Sequence, residues 1–218
     1  MNLGTILSRI ETGIQDPSFT REDNLLPLVN EFVTEVSELF LFPSLQSYAQ
    51  LTVAADLEVN HIDLPTNYHR DLYRVYNVNL KREVNIRSNV KALERLYDGF
   101  QGTGYIQDVA VQDRELWFRP TIEQEQALDL FYYRKPVLIE DADDEDMLLD
   151  GVPENLAVIA VDYALMQLYN LVEDGVTGMP VNTEKYSVRY QAGLGKLNEY
   201  CKQSPKQVPV VQRSARFF

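Results

Sequence analysis

Apolar residues recur at Leu3, Ile6, Leu7, Ile10 and Ile14, a spacing of three and four that gathers them on one face of an α-helix. Asn2 stands where an N-cap belongs and Asp16-Pro17 supplies a stop, so a first helix is expected here. A second stripe runs Leu28, Val29, Phe32, Val33, Val36, Leu39 and Phe40, with Asn30, Glu31, Thr34, Glu35, Ser37 and Glu38 filling the opposite face. Pro27 suits its first turn, and the helix must end before Pro43, because a residue preceding proline is pushed out of helical geometry.

From about residue 45 the period changes. Tyr76, Val78 and Leu80 alternate with Asn77, Asn79 and Lys81, and Leu128, Leu130 and Tyr132 alternate with Asp129, Phe131 and Tyr133, as strands do. Shorter strands are expected at Leu57–Val59, Tyr105–Val111 and Glu115–Arg119, with turns at Gly102-Thr103-Gly104 and Gln112-Asp113-Arg114. A short helix from Val90 to Tyr97, with Ser88 near its start and Gly99 at its end, interrupts them. The middle of the chain is thus strand-rich and flanked by helices.

The run Glu140-Asp141-Ala142-Asp143-Asp144-Glu145-Asp146 is too charged to pack and reads as a solvated connector. Beyond it, Pro153 opens a helix that is apolar nearly all round, from Leu156 to Val172, and a helix without a polar face is buried. Asp162, Gln167 and Asn170 interrupt it and argue against a membrane span. Gly175, Gly178 and Pro180 mark a turn before a last helix, which begins near Thr183 and carries Tyr186, Tyr190, Leu194, Leu197 and Cys201 on one stripe. The two together read as a helical hairpin.

Charge changes the picture at the C-terminus. The 218 residues hold 33 acids against 20 bases, a formal charge of -13, which disfavours a general nucleic-acid reader. Residues 202–218 contain no acid, and Lys202, Lys206, Arg213 and Arg216 make this tail +4, leaving -17 on the rest. With two prolines and with Val208, Val210, Val211, Phe217 and Phe218, the tail cannot fold alone, yet it is too apolar to be a mere solvating tail. A composition that is 45% hydrophobic buries a core without disulfides, and a single cysteine, Cys201, fits a reducing compartment. The opening MNLGTILSRIETG has no basic region followed by a long apolar one, so a soluble protein without a signal peptide is expected.

Catalytic motifs with the required spacing are missing: there is no G-x-S-x-G, H-E-x-x-H or P-loop. Gly102-Thr103-Gly104 and Gly193-Leu194-Gly195 lack the third glycine of a dinucleotide fingerprint, and they read as a turn and a close helix contact. His61 and His69 are the only histidines and read as ordinary sheet and loop residues, so no metal and no cofactor is expected. Asp141, Asp143 and Glu145 alternate as in a calcium loop, but Asp146 stands where glycine is needed and Val152 where the bidentate glutamate should be. Thirteen tyrosines and nine phenylalanines exceed what catalysis would explain; most fit a core and some fit subunit interfaces.

Four stretches carry a family likeness: LLPLVNEFVTEVSELFLFPSL at 25–45, LPTNYHRDLYRVY at 64–76, LWFRPTIEQEQALDLFYYRKPVLI at 116–139 and PENLAVIAVDYALMQLYNLVED at 153–174. Across most of its length the chain resembles the head-to-tail connector adaptors, or head-completion proteins, of tailed bacteriophages. The resemblance implies an α+β fold: a helical bundle of N-terminal helices (1–44) and a C-terminal helical hairpin (153–203), with an inserted β-rich domain (45–139). The acidic connector (140–152) and an extended basic arm (204–218) complete it.

It also implies a structural virion protein, not an enzyme, assembled in the host cytoplasm and placed at the virion neck. Such a protein is monomeric when free and forms a ring matching the dodecameric portal. It extends the DNA channel without binding DNA specifically, and it offers a platform to tail or nozzle proteins. Residues 205–218 fit the family's portal-binding arm, with Val208, Val210, Val211, Phe217 and Phe218 for grooves and Arg213 and Arg216 for acidic rims. Glu31, Glu35 and Glu38 are the acids expected to face the channel, where negative charge lets DNA slide. Two alternatives stay open: a tail-completion protein, and an adaptor with muramidase-like activity, which needs two carboxylates in a sugar-sized cleft.

Overall fold

The computed structural model describes residues 1–55, 60–97, 102–173 and 181–203. The strand expected at Leu57–Val59, the stop at Gly99, the turn at Gly175, Gly178 and Pro180 and the whole arm from 204 to 218 lie outside the described residues. The chain is mixed α and β and divides into two compact units, residues 1–45 with 136–203, and residues 46–135.

The first unit is helical. Helix α1 (Leu3–Ile14) buries Leu3, Ile6, Leu7 and Ile10, and Asn2 caps it by accepting from the Thr5 N–H at 3.2 Å. It ends at Gln15, whose φ of 54° is left-handed, just before Asp16-Pro17. A single π-turn, Arg21–Leu25, which has no signature in the apolar pattern, is capped by Thr20 and runs straight into α2 (Leu26–Leu39). The second helix therefore starts two residues before its expected stripe, with Pro27 in the first turn where its missing N–H leaves nothing unpaired. Helix α4 (Val158–Glu173) is packed by α1, α2 and α5 (Val181–Gln203), which explains why it has apolar residues on every side. Its start is Val158, with turns rather than helix from Pro153 to Ala157. Gly193 of α5 lies so close to α4 that a Cβ there would be 2.8 Å from Cγ1 and Cγ2 of Ile159, the close helix contact expected at that glycine.

The acidic segment is not a free connector. Its carboxylates are exposed, but Ile139, Ala142, Leu149 and Val152 are buried, and its backbone is committed. The carbonyls of Met147 and Glu145 accept from the N–H groups of Leu3 and Gly4 at 2.8 and 3.0 Å, satisfying donors that the first turn of a helix leaves open. Gly4 permits this approach, since a Cβ would sit 2.8 Å from Cβ of Glu145. Counting charges describes the side chains of this segment and misses the hydrogen bonds its backbone makes.

The second unit is a seven-stranded sheet in the order β1-β7-β3-β4-β5-β6-β2, antiparallel except where β4 pairs with β5. The strands are β1 (Gln46–Val53), β2 (His61–Asp63), β3 (Tyr68–Asn77), β4 (Arg82–Arg87), β5 (Asp108–Gln112), β6 (Glu115–Arg119) and β7 (Gln126–Arg134). Helix α3 (Val90–Leu96), capped by Asn89, makes the crossover between parallel β4 and β5. Asp113 and Arg114, with φ of 52° and 67°, form the expected tight turn between β5 and β6. Val53, Val75, Val84, Val109, Phe118, Leu128, Leu130 and Tyr132 all enter one apolar cluster, so the sheet curls around a common core.

One strand expectation is corrected and one holds. The alternation at Tyr76–Lys81 falls on the end of β3 and the turn after it, where the Asn77 side chain accepts from the Leu80 N–H at 2.9 Å and Lys81 has a φ of 55°. A local asparagine turn overrides the apolar alternation. In β7, Asp129, Phe131 and Tyr133 do face away from Leu128, Leu130 and Tyr132, but both sets are buried.

Candidate functional site

The acids expected on α2 differ in what they meet. Phe32, Tyr163 and Tyr190 pack as a triad, with ring centroids 5.8, 6.4 and 5.2 Å apart, and the Tyr190 hydroxyl donates to Glu35 Oε1 at 2.7 Å. Burial pushes both tyrosine hydroxyls well above their ordinary pKa, and the Glu35 charge adds to the shift. Glu35 is thus half-buried and held by α5, whereas Glu31 and Glu38 are exposed. No residue spacing announces this triad, because its members come from three helices.

The joint between α4 and α5 is also built from acids. Asp162, buried on α4, lies 3.2 Å from Arg189 of α5. Burial raises its pKa, against the pull of Arg189, Lys196 and Lys185. Glu173 at the end of α4 accepts from the N–H groups of Asn182 and Thr183 at 3.1 Å, and from the Thr183 hydroxyl at 2.7 Å. A carboxylate from one helix thereby caps the next, and those bonds hold its pKa below the usual range. The outer side near this joint is apolar and bare: Leu171 is 68% exposed and Val181 and Val188 are each 65% exposed. The expected all-round burial of α4 therefore fails in its last turn. Cys201 is half-buried, and burial pushes its thiol up to about 11, which disfavours the thiolate at neutral pH.

In the sheet unit, Asp108 is the anchor of α3. It accepts from Asn85 at 3.1 Å, from Arg87 at 2.7 Å and from the Tyr97 hydroxyl at 2.6 Å, while Arg119 makes a two-pronged pair with Glu94. Burial and the Asp108 charge push the Tyr97 hydroxyl up to about 12. His61 on β2 stacks on Trp117, with ring centroids 4.5 Å apart, and His69 lies in β3, so both are sheet residues. Among the described residues no group of three histidines, cysteines or carboxylates could hold a metal ion. In the acidic run, Asp141 accepts from the Asp143 N–H at 2.8 Å and Glu145 pairs with Arg21 at 2.8 Å, commitments to the chain itself rather than to a cation.

A surface depression lined by Gly104, Tyr105, Glu123, Gln124 and Gln126 contains one carboxylate, whose oxygen accepts from Thr103. The arm residues Val208, Val210, Val211, Arg213, Arg216, Phe217 and Phe218 lie outside the described residues. No helix among the described residues is long and apolar enough to cross a membrane. Exposed surfaces among the described residues include the acids Glu31 and Glu38 of α2 and the valines Val181 and Val188 of α5.

The sequence model of one family, described as SU10 adaptor protein, matches residues 1–213. No curated protein matches the chain.

Proposed function

The chain belongs to the SU10 adaptor protein family, and from that premise we propose that it is a head-to-tail adaptor that forms a ring beneath the portal. Membership makes it a structural phage adaptor associated with portal and tail proteins. The finer reading is a helical bundle of residues 1–44 and 153–203, carrying an inserted β-rich domain at 45–139. In a ring, equivalent faces repeat around the axis and each copy extends the DNA channel. The observation that carries the reading is the extent of the family match, which spans both compact units rather than one of them.

Two features support the details. The acidic balance of the body repels phosphates, so DNA passes without being held, and Glu31 and Glu38, with Glu35 fixed by Tyr190, supply that wall on α2. The tail of opposite charge is suited to reach a partner: Val208, Val210, Val211, Phe217 and Phe218 fill portal grooves while Arg213 and Arg216 meet acidic rims. Ordering such an arm is offset only when the partner supplies contacts, which keeps the free chain monomeric.

The test mixes purified portal with the full chain or with a version ending at Ser204, and follows the complexes by native mass spectrometry. Portal-bound rings of the full chain, with twelve copies on a twelve-fold portal, are expected, and the shortened chain is expected not to bind. Binding to tail proteins without portal would instead favour tail completion. Equal portal binding by both versions would remove the arm from the proposal.

A further inference from the structure

The segment of residues 136–152 belongs to the helical unit and treats its apolar side chains in two ways. Ile139, Ala142, Leu149 and Val152 are buried, whereas Val137, Leu138, Met147 and Leu148 are 63%, 44%, 45% and 47% exposed. On a loose loop such exposure would carry little meaning, but this backbone is tied down at several points. The Val137 N–H donates to Asp150 Oδ2 at 2.7 Å, which draws the two limbs of the segment together. Ile139 exchanges two hydrogen bonds with the Asn30 side chain of α2, at 2.8 and 3.1 Å. The carbonyls of Glu145 and Met147 accept from the first turn of α1. With Ile139 and Leu149 turned inward on this frame, their neighbours Leu138 and Leu148 are held in water. A group of exposed apolar side chains on a fixed backbone marks an interaction surface.

The charge around these side chains selects the partner. Residues 140–150 carry seven acids, and no lysine or arginine occurs from 136 to 184. Arg21, the base that reaches into the segment, is committed to Glu11 and Glu145, and Arg9 stands across a groove from Glu145 and Asp146. Among the described residues no base pairs with the exposed Asp143 or Asp144, and the Met147 N–H donates to the Asp144 carbonyl at 3.0 Å, so these acids adjoin the exposed apolar pair. An acidic partner is repelled from such a margin and a basic one is drawn to it.

We propose that Val137, Leu138, Met147 and Leu148, with Asp143 and Asp144 beside them, form a docking surface for a basic segment of another protein that carries apolar side chains between its lysines or arginines. The two kinds of residue divide the work. Exposed carboxylates are screened by salt and add little to the final hold, so they act mainly on encounter. The apolar side chains leave water only in the complex and therefore set how long it lasts, and the unbranched Met147 adapts its shape to what lies on it. The surface lies on one chain, so the inference does not rest on the ring reading.

The full chain is tested by stopped-flow anisotropy with three labelled synthetic peptides, one alternating arginine and leucine, one with serine in place of leucine and one with glutamate in place of arginine. The first is expected to bind, and the other two at least tenfold more weakly. M147S/L148S, at exposed positions that the fold does not need, should speed dissociation of the first peptide about tenfold or more. D143N/D144N should instead slow its association and flatten the dependence on salt. E125Q/E199Q, which removes two exposed acids elsewhere, should leave both rates within about twofold. Equal binding of the leucine and serine peptides, an unchanged dissociation rate in M147S/L148S, or equal effects of the two acid pairs would each overturn the proposal. So would a concentration-dependent dimer of the free chain that M147S/L148S abolishes in sedimentation, since the surface would then belong to a second copy.

Discussion

Two glycines on α5, two residues apart, should respond to the same substitution with opposite signs. Replacing glycine by alanine inside a helix gains about 1 kcal/mol, because alanine restricts the unfolded chain and glycine does not. At Gly195 no atom lies within 4 Å of the added Cβ, so that gain is unopposed. At Gly193 the added Cβ would meet Ile159 Cγ1 and Cγ2 at 2.8 Å and Cδ1 at 3.1 Å. Ile159 is 2% exposed and branched at Cβ, so its two branches cannot both swing aside within a helix. Overpacking of this kind costs about 1–3 kcal/mol, which outweighs the propensity gain and leaves a net loss of about 1 kcal/mol. Urea unfolding followed by circular dichroism should place G195A above and G193A below the natural protein, each at unchanged slope. If G193A is as stable as G195A, the approach of α5 to α4 at this point is not as described.

Three further outcomes follow from named contacts. The buried Tyr163 and Tyr190 hydroxyls titrate above their unfolded value, so their contribution is full below about pH 10 and is lost as pH rises beyond it, by about 1.4 kcal/mol per pH unit for each tyrosine. Denaturant midpoints measured from pH 8 to 11 should fall, and Y163F should make that fall shallower; an unchanged slope would contradict the burial of its hydroxyl. D108A leaves Asn85, Arg87 and the Tyr97 hydroxyl without their shared acceptor, so the sheet unit should lose about 2–4 kcal/mol and α3 should exchange its amides early. E173Q keeps some of the cap on α5 but loses its charge, so a slightly lower thermal midpoint is expected, and E173A should lower it further.

How much of this was legible depends on where each element's signal resides. Helices α1, α2 and α5 declare themselves because one face is buried and the other is wet, so Leu3 to Ile10 and Tyr186 to Leu197 mark period and boundary together. Strands β6 and β7 were legible for the same reason at period two. Strand β1 was not: Gln, Ser, Ala and Gln have weak strand preference, and only register against β7 makes the segment a strand. Strand β4 has Val84 and Ile86 as its apolar signal between charged neighbours, too little to call for a strand. The π-turn before α2 depends on the Thr20 cap and on a hydrogen bond from the Leu25 N–H to the Thr20 carbonyl, neither of which has a periodicity. Of the surfaces, the acids of α2 could be seen on one helix face, but the capture of Glu35 by Tyr190 spans 155 residues and needed the fold.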